Sequence, residues 1–256
     1  MALVTFTSDL GIRDYYVAAI KGAIITYCEQ VVPIVDVTHS IMPFDIKEAA
    51  FTVRNSYKYF PKGTIHVVHM SSTDAKRRLL VSIVDGHFFV TFDNGFLSLA
   101  FEKTPHETYE VNEELTVQST PLMEAAIGKI VNLLVQEYKP SDFAHLTTEA
   151  VHLRLIQPLT SNGRILGSVI HIDNYGNAIT NITPNMLAHY IGEKKFNIYV
   201  GVGQINEISE QYDNVEEGEL VALLSKTGFI EIAICKGRAD KLLALRVGTP
   251  VQITVD

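Results

Sequence analysis

The stretch Leu3-Val4-Thr5-Phe6-Thr7-Ser8-Asp9-Leu10-Gly11 decides how the first half of the chain folds. Leu3 to Thr7 is short, apolar and β-branched, the composition of a strand. Ser8 to Gly11 reads as a turn, with Gly11 permitting a tight bend. The next segment, Asp14 to Cys28, places Val17, Ile20, Ile24 and Tyr27 at helical spacing, which gives one buried stripe. In parallel α/β sheets ligands bind at the carboxyl ends of strands, so Asp9 stands where a ligand carboxylate would. It stands equally well where a helix N-cap would, and position alone does not separate the two.

Working outward, strand and helix signals alternate to about residue 140. Val31 to Val37 reads as a second buried strand. Asp45, with Glu48 three residues on, has the pattern of a capping box, and Ile46, Ala49, Ala50, Val53 and Tyr57 form the core face behind it. Ile65 to Met70 is a third strand. Leu79–Val84 and His87–Thr91 are joined by Asp85-Gly86, a strong hairpin signal. Thr120 as cap and Pro121 at the first helical position open a helix carrying Leu122, Ala126, Ile130 and Leu134. Beyond residue 140 strands dominate: Ile165–Ile172, Ala178–Ile182, Phe196–Val202, Leu220–Leu224, Phe229–Ile234 and Pro250–Val255, separated by Gly, Asn and Asp turns. The fold class is α/β: an N-terminal α/β domain with a mostly parallel sheet, residues 1–158, and a smaller all-β, barrel-like domain, residues 159–256.

Composition removes several functions. No apolar run approaches the roughly 18 residues of a membrane helix, and Met1-Ala2-Leu3 lacks the basic start of a signal peptide, so a soluble, cytoplasmic protein is expected. Only Cys28 and Cys235 are present, which excludes a disulfide framework. The net charge of −8 argues against a nucleic-acid partner, and Lys76-Arg77-Arg78 alone is too short a basic cluster to reverse that. The nine histidines show no H-x-x-x-H or H-E-x-x-H spacing, so no metal is expected. Neither a G-x-G-x-x-G nor a P-loop is present, and no G-x-S-x-G elbow exists.

Three polar clusters remain. Asp36-Val37-Thr38-His39 ends the second strand and reads first as a satisfied loop histidine. Asp173-Asn174-Tyr175-Gly176-Asn177 offers a carboxylate, two amides and an aromatic face within one turn. Ser225-Lys226-Thr227-Gly228-Phe229 is a smaller polar turn of the same domain.

Read together and in order, these segments resemble the family of S-adenosyl-L-methionine (SAM) hydroxide adenosyltransferases, relatives of the SAM-dependent fluorinase and chlorinase. Further markers are Phe60-Pro61-Lys62-Gly63-Thr64-Ile65-His66-Val67, Asp93-Asn94-Gly95-Phe96, Thr180-Asn181-Ile182 and Gly228-Phe229-Ile230-Glu231-Ile232-Ala233. The resemblance runs nearly end to end. It implies cleavage of SAM by water at the 5′ carbon to adenosine and methionine, in a homotrimer whose site lies at the subunit interface. SAM is then the substrate, and no cofactor is needed. It also implies that Asp9 takes the ribose diol, that Phe44 covers the sugar, and that Asp173 and Asn177 hold the methionine and sugar ends with Tyr175 as the aromatic between them. Ser225 would face methionine, and the backbone from Ala233 to Gly237 adenine.

The resemblance also marks departures. The family prepares its water with an Asp, an Arg and a His. The Arg falls on Arg78, but the Asp falls on Ser71, with Met70 beside it, and Thr116-Val117-Gln118-Ser119-Thr120 contains no His. Asp74 is the acid nearest that position, and His39 and His69 are candidate replacements for the imidazole. The Asn usual before the last glycine turn is replaced near Cys235. A catalytically weakened adenosine- or SAM-binding protein, or a halide-using relative, is the alternative these departures keep open.

Overall fold

The first strand sets the sheet around it. A computed structural model describes residues 2–71, 78–116, 123–161 and 163–255. The chain divides into two compact units, Met1–Leu155 and Ile156–Asp256. In the first unit β1 (Val4–Ser8) leads through α1 (Tyr16–Tyr27) to β2 (Ile34–Thr38), and α2 (Ile46–Ser56) leads on to β3 (Ile65–His69). Then come β4 (Leu79–Val84), β5 (His87–Phe92), α3 (Phe96–Ala100), β6 (Thr108–Val111), α4 (Glu113–Thr116), α5 (Glu124–Val135) and β7 (Ala144–Leu146).

The strands lie in the order β2-β1-β3-β5-β4-β6-β7. The pairs β1/β2, β1/β3 and β3/β5 are parallel, whereas every pairing from β5 to β7 is antiparallel. The sheet is therefore mixed, which corrects the mostly parallel sheet expected from the sequence. The cause is the Asp85-Gly86 turn. Both residues have positive φ, 52° and 84°, the geometry of the primed turns that fold one strand directly back on the next. Once β4 is reversed in this way, β6 and β7 extend the antiparallel half.

Alternation along β3 divides the core between the two faces. Val67 packs with Ile20 and Ile24 of α1 and Ile127 and Ile130 of α5. Val68 faces the other way, toward Ala49, Ala50 and Val53 of α2 and Phe96 and Leu99 of α3. At about 25 cal/mol per Å² of apolar surface, these two layers are the main stabilising term of the unit. Asp45 caps α2 as expected, accepting from the Glu48 N–H at 3.0 Å. Glu48 does not reach back to the cap; its side chain accepts from the Met42 N–H instead. β2 is an edge strand with Val35 and Asp36 exposed, so the buried strand read over Val31 to Val37 is corrected. The cap and first turn expected at Thr120 and Pro121 lie outside the described residues.

The second unit holds β8 (Leu159–Ser161), β9 (Arg164–Ile172), β10 (Ala178–Thr180), α6 (Pro184–Tyr190), β11 (Phe196–Val200), β12 (Gly203–Ile205), β13 (Leu220–Leu224), β14 (Ile230–Ile234), α7 (Ala239–Leu242) and β15 (Pro250–Val255). Its sheet runs β12-β11-β15-β9-β10-β14-β13, all antiparallel, with β8 added on β9. The end strands β12 and β13 lie against each other without a ladder, so the sheet is nearly a barrel. Ile165, Val169, Ile198, Ile232, Val251 and Ile253 fill its interior. No described helix is long and apolar enough to cross a membrane.

One polar chain runs through the first unit's sheet. The Thr5 hydroxyl meets His66 Nδ1 at 2.7 Å, and His66 Nε2 lies 3.1 Å from His87 Nδ1. Burial, followed by the neighbouring His87, pushes His66 down to about 3. An unfolded chain would take up this proton near pH 6.5, so the stability that neutral His66 contributes is complete above that pH. It is lost as the pH falls toward 3, by up to about 1.4 kcal/mol per pH unit. His66→Gln should therefore show a shallower loss of melting temperature than wild type between pH 6.5 and 4; parallel slopes would contradict the assignment.

Candidate functional site

In the first unit the strand order 2-1-3 places a topological switch at β1, because the chain leaves β1 for one neighbour and later returns on its other side. In open α/β sheets ligands bind at such a point, beyond the carboxyl ends of the strands. Ser8 and His69 are Cα partners at those ends, and Asp9 follows Ser8 directly.

Asp9 is buried, with 6% of its surface exposed, and its carboxylate gathers three loops. Oδ2 accepts from the Phe44 N–H at 2.8 Å. Oδ1 accepts from the Ser71 N–H at 2.9 Å and from the Ser71 hydroxyl at 3.1 Å. The helix-cap alternative falls away, since the residue before α1 is Tyr15 and no side chain caps it. The Ser71 N–H also lies 3.1 Å from Oδ2, so the carboxylate's roughly four acceptor positions are all in use, and a ligand hydroxyl would have to displace the Ser71 hydroxyl.

Phe44 is bound to Asp9 through its N–H and sits at φ 69°, a left-handed conformation that is costly for any residue with a Cβ. Its side chain is 57% exposed. An exposed ring on a strained backbone gains little from packing, so the strain is held by the Asp9 bond. Ile12, Tyr15 and Met42 are also exposed in the two loops that meet at Asp9.

Arg78 precedes β4 and lies beside the carboxyl end of β5, on the same sheet edge as Asp9. Its Nη1 donates to Glu110 at 2.8 Å, and its Nη2 donates to Asp93 and to the Glu149 carbonyl. Three of its five N–H groups are thus committed, leaving at most two for a ligand. Burial acts to lower its pKa, but Asp93 and Glu110 outweigh it and hold the guanidinium above its ordinary range. Asp74 and the segment from 117 to 120 lie outside the described residues. His69 is buried with its ring edge-on to Phe92.

In the second unit the 173–177 turn is self-contained. Asp173 accepts from the Tyr175 N–H, the Asn177 N–H at 2.8 Å and the Asn177 side-chain amide at 3.1 Å. Gly176 has φ 87°, and a Cβ there would come within 2.4 Å of Asp240 Oδ1, so only glycine fits. Arg238 braces the turn from behind, donating to the Asn174 carbonyl and pairing with Asp240 through both Nε and Nη2. Tyr175 is 75% exposed above it.

Ser225 lies in the β13–β14 hairpin, where its oxygen accepts from the Thr227 N–H and hydroxyl. That hairpin precedes β14, whereas the 173–177 turn is tied to residues that follow β14, so the two turns are not brought together. Within the first unit Asp9 is bonded to Phe44, while the bonds of Arg78 go to Asp93, Glu110 and Glu149; within the second, Asp173, Tyr175 and Asn177 form one cluster and Ser225 lies at the other end of β14.

Sequence reasoning missed Tyr212. Its hydroxyl donates to the buried Glu231 at 2.6 Å, and its ring is half-exposed. Burial, then the Glu231 carboxylate, with Asp173 also contributing, pushes the phenol above its ordinary range. Asp173 therefore has two accessible aromatic rings, Tyr175 and Tyr212, in its neighbourhood. Only the pairing of residues 19 positions apart reveals this, and no local pattern could have signalled it.

Comparisons with known proteins fit this arrangement. Residues 4–127 match the SAM hydroxide adenosyltransferase N-terminal domain, and residues 167–252 match the C-terminal domain of that family. A protein of Thermus thermophilus named (R)-S-adenosyl-L-methionine hydrolase is 26% identical over 99% of this chain and 100% of its own length. One of the same name from Methanocaldococcus jannaschii is 25% identical over 94% of this chain and 91% of its own. A fluorinase of Nocardia brasiliensis is 25% identical over 99% and 97%. A solved structure from Thermotoga maritima shares the fold with a TM-score of 0.83, at 22% identity over 98% of this chain and 99% of its own.

Phe44→Gly should remove the backbone strain and raise unfolding stability by about 1 kcal/mol, since little packing is lost. Chemical denaturation checks this; a fall of similar size would show that the ring is stabilising rather than functional.

Proposed function

Since the chain belongs to the SAM hydroxide adenosyltransferase family, we propose that it cleaves S-adenosyl-L-methionine with water at the 5′ carbon, giving adenosine and methionine. The observation that carries this reading is the Asp9 carboxylate, buried at the switch point of the sheet, with one acceptor position held only by the Ser71 hydroxyl and a strained, exposed Phe44 bonded to it. A carboxylate can accept from two adjacent hydroxyls, as a ribose diol requires. The Ser71 hydroxyl occupies one acceptor position on Asp9, and a ribose hydroxyl would take its place.

The chemistry asks little of the protein. The sulfonium of SAM is already a leaving group. The water oxygen bonds to the 5′ carbon, the carbon–sulfur electron pair stays on sulfur as the methionine thioether, and one water proton is released to solvent. Positioning and dehydration of that water supply most of the acceleration. Arg78 is the residue assigned to steady the developing hydroxide. Phe44 covers the sugar, Tyr175 and Tyr212 offer rings on which a purine stacks, and Asp173, Asn177 and Ser225 hold the sugar and methionine ends. The assembly proposed is a homotrimer in the cytoplasm, with SAM as substrate and no cofactor.

Ser71 in place of the family's acid favours a second reading, a protein that holds adenosine or SAM without turning it over. Incubation with SAM, with and without chloride or fluoride, separates the readings by chromatography. Adenosine and methionine in equal amounts, independent of halide, are expected. Asp9→Asn should lower kcat/KM by about 100-fold, the loss of charge from two charge-assisted hydrogen bonds. No product, together with a melting-temperature rise on adding adenosine, would overturn the hydrolase in favour of the binding protein.

A further inference from the structure

Behind Asp9 lies a chain of contacts that the proposed reaction does not use. Ser8 is fully buried at the end of β1, and its Oγ stands 2.7 Å from His39 Nδ1. His39 is itself 5% exposed, and its Nε2 lies 3.0 Å from Asp36 Oδ1, a close approach to the carboxylate whose angle does not make a hydrogen bond. Asp36 Oδ2 in turn accepts from Lys21 Nζ at 2.6 Å. The Leu10 N–H approaches Ser8 Oγ at 3.4 Å, and the Gly11 N–H donates to the His39 carbonyl at 2.8 Å. The chain runs from the exposed edge strand to the residue immediately before Asp9.

We infer that His39 is a positioning residue, which Asp36 holds in the Nε2–H tautomer so that the Ser8 hydroxyl fixes the turn carrying Asp9. The donor directions follow from one another. Nε2 is buried and faces a carboxylate, so a lone pair there would be repelled and a proton is favoured. Nδ1 is then bare and accepts the Ser8 O–H. The Ser8 oxygen, having given its proton to the ring, keeps its lone pairs for the Leu10 N–H. In the opposite tautomer Nδ1–H would point at Ser8 Oγ and compete with Leu10 for those lone pairs, while the Ser8 proton would need another acceptor in a fully buried site. The exposed acid on β2 thereby sets hydrogen-bond direction at the base of the Asp9 turn. Burial pushes the Asp36 carboxyl up, but Lys21 and His39 outweigh it and hold it below the usual carboxylate range, so Asp36 is ionised at the pH of the test below.

The effect on affinity rests on the reading of Asp9 as the ribose carboxylate; the tautomer does not. Both are measured on the full chain with 15N-labelled histidine at pH 8. Long-range 1H–15N correlation spectra read the tautomer, with the His39 signals identified by their loss in His39→Gln. The wild type should show His39 protonated at Nε2 and bare at Nδ1. Asp36→Asn, a change at an exposed edge position, should mix the tautomers and weaken adenosine binding by about tenfold in calorimetry. A wild-type Nδ1–H tautomer would overturn the inference whatever the binding data. An Asp36→Asn protein with mixed tautomers and unchanged adenosine affinity would overturn the positioning role. If the wild type binds no adenosine, the ribose reading fails, and the relay then stands or falls on the tautomer alone.

Discussion

One carboxylate holds the carboxyl edge of the first sheet together. The loops leaving β2 and β3 share a core through buried Ile41 and Met70, and Asp9 ties both to the loop leaving β1 by accepting from Phe44 and from Ser71. A buried carboxylate is expensive unless its oxygens are hydrogen-bonded, and backbone N–H groups are the donors that cost least in side-chain entropy. The fold therefore needs the loops at Asp9 as much as the loops need Asp9. The strained Phe44, the exposed residues around it and the Ser8–His39 contact beneath it all depend on that knot. A ligand meets groups already in place, which lowers the ordering it must impose on binding.

Much of the architecture can be read in the sequence because it is local. The stripe of Ile20 and Ile24, the Asp45 cap and the alternating strands of the second unit each follow from spacing within a few residues. What escapes is long-range. The Asp85-Gly86 hairpin is visible as a turn, but its consequence, a sheet whose second half runs antiparallel, depends on where β5 inserts. Val31 to Val37 is apolar enough to read as interior, yet β2 has a neighbour on one side only, and Val35 is left exposed. Composition does not distinguish an edge from a centre.

The site shows the same division. Asp9 and the 173–177 turn stand out as polar residues clustered at strand ends. Whether Asp9 caps a helix or serves a ligand depends on the seven residues up to Tyr16, where the helix begins too late for Asp9 to cap it. Asp173 presents its carboxylate inward to its own turn, which explains its place among Tyr175 and Asn177 as turn geometry first. Ser71 hydrogen-bonds to Asp9 at the position where the resemblance led us to expect an acid. Arg78 keeps its position but shares its charge with Asp93 and Glu110.

The central claim is that Asp9 recognises a ribose diol, and calorimetric titration with adenosine, 2′-deoxyadenosine and 3′-deoxyadenosine tests it most directly. A carboxylate bonded to both hydroxyls predicts that each deoxynucleoside binds at least about tenfold more weakly than adenosine. Equal affinity for all three would contradict it.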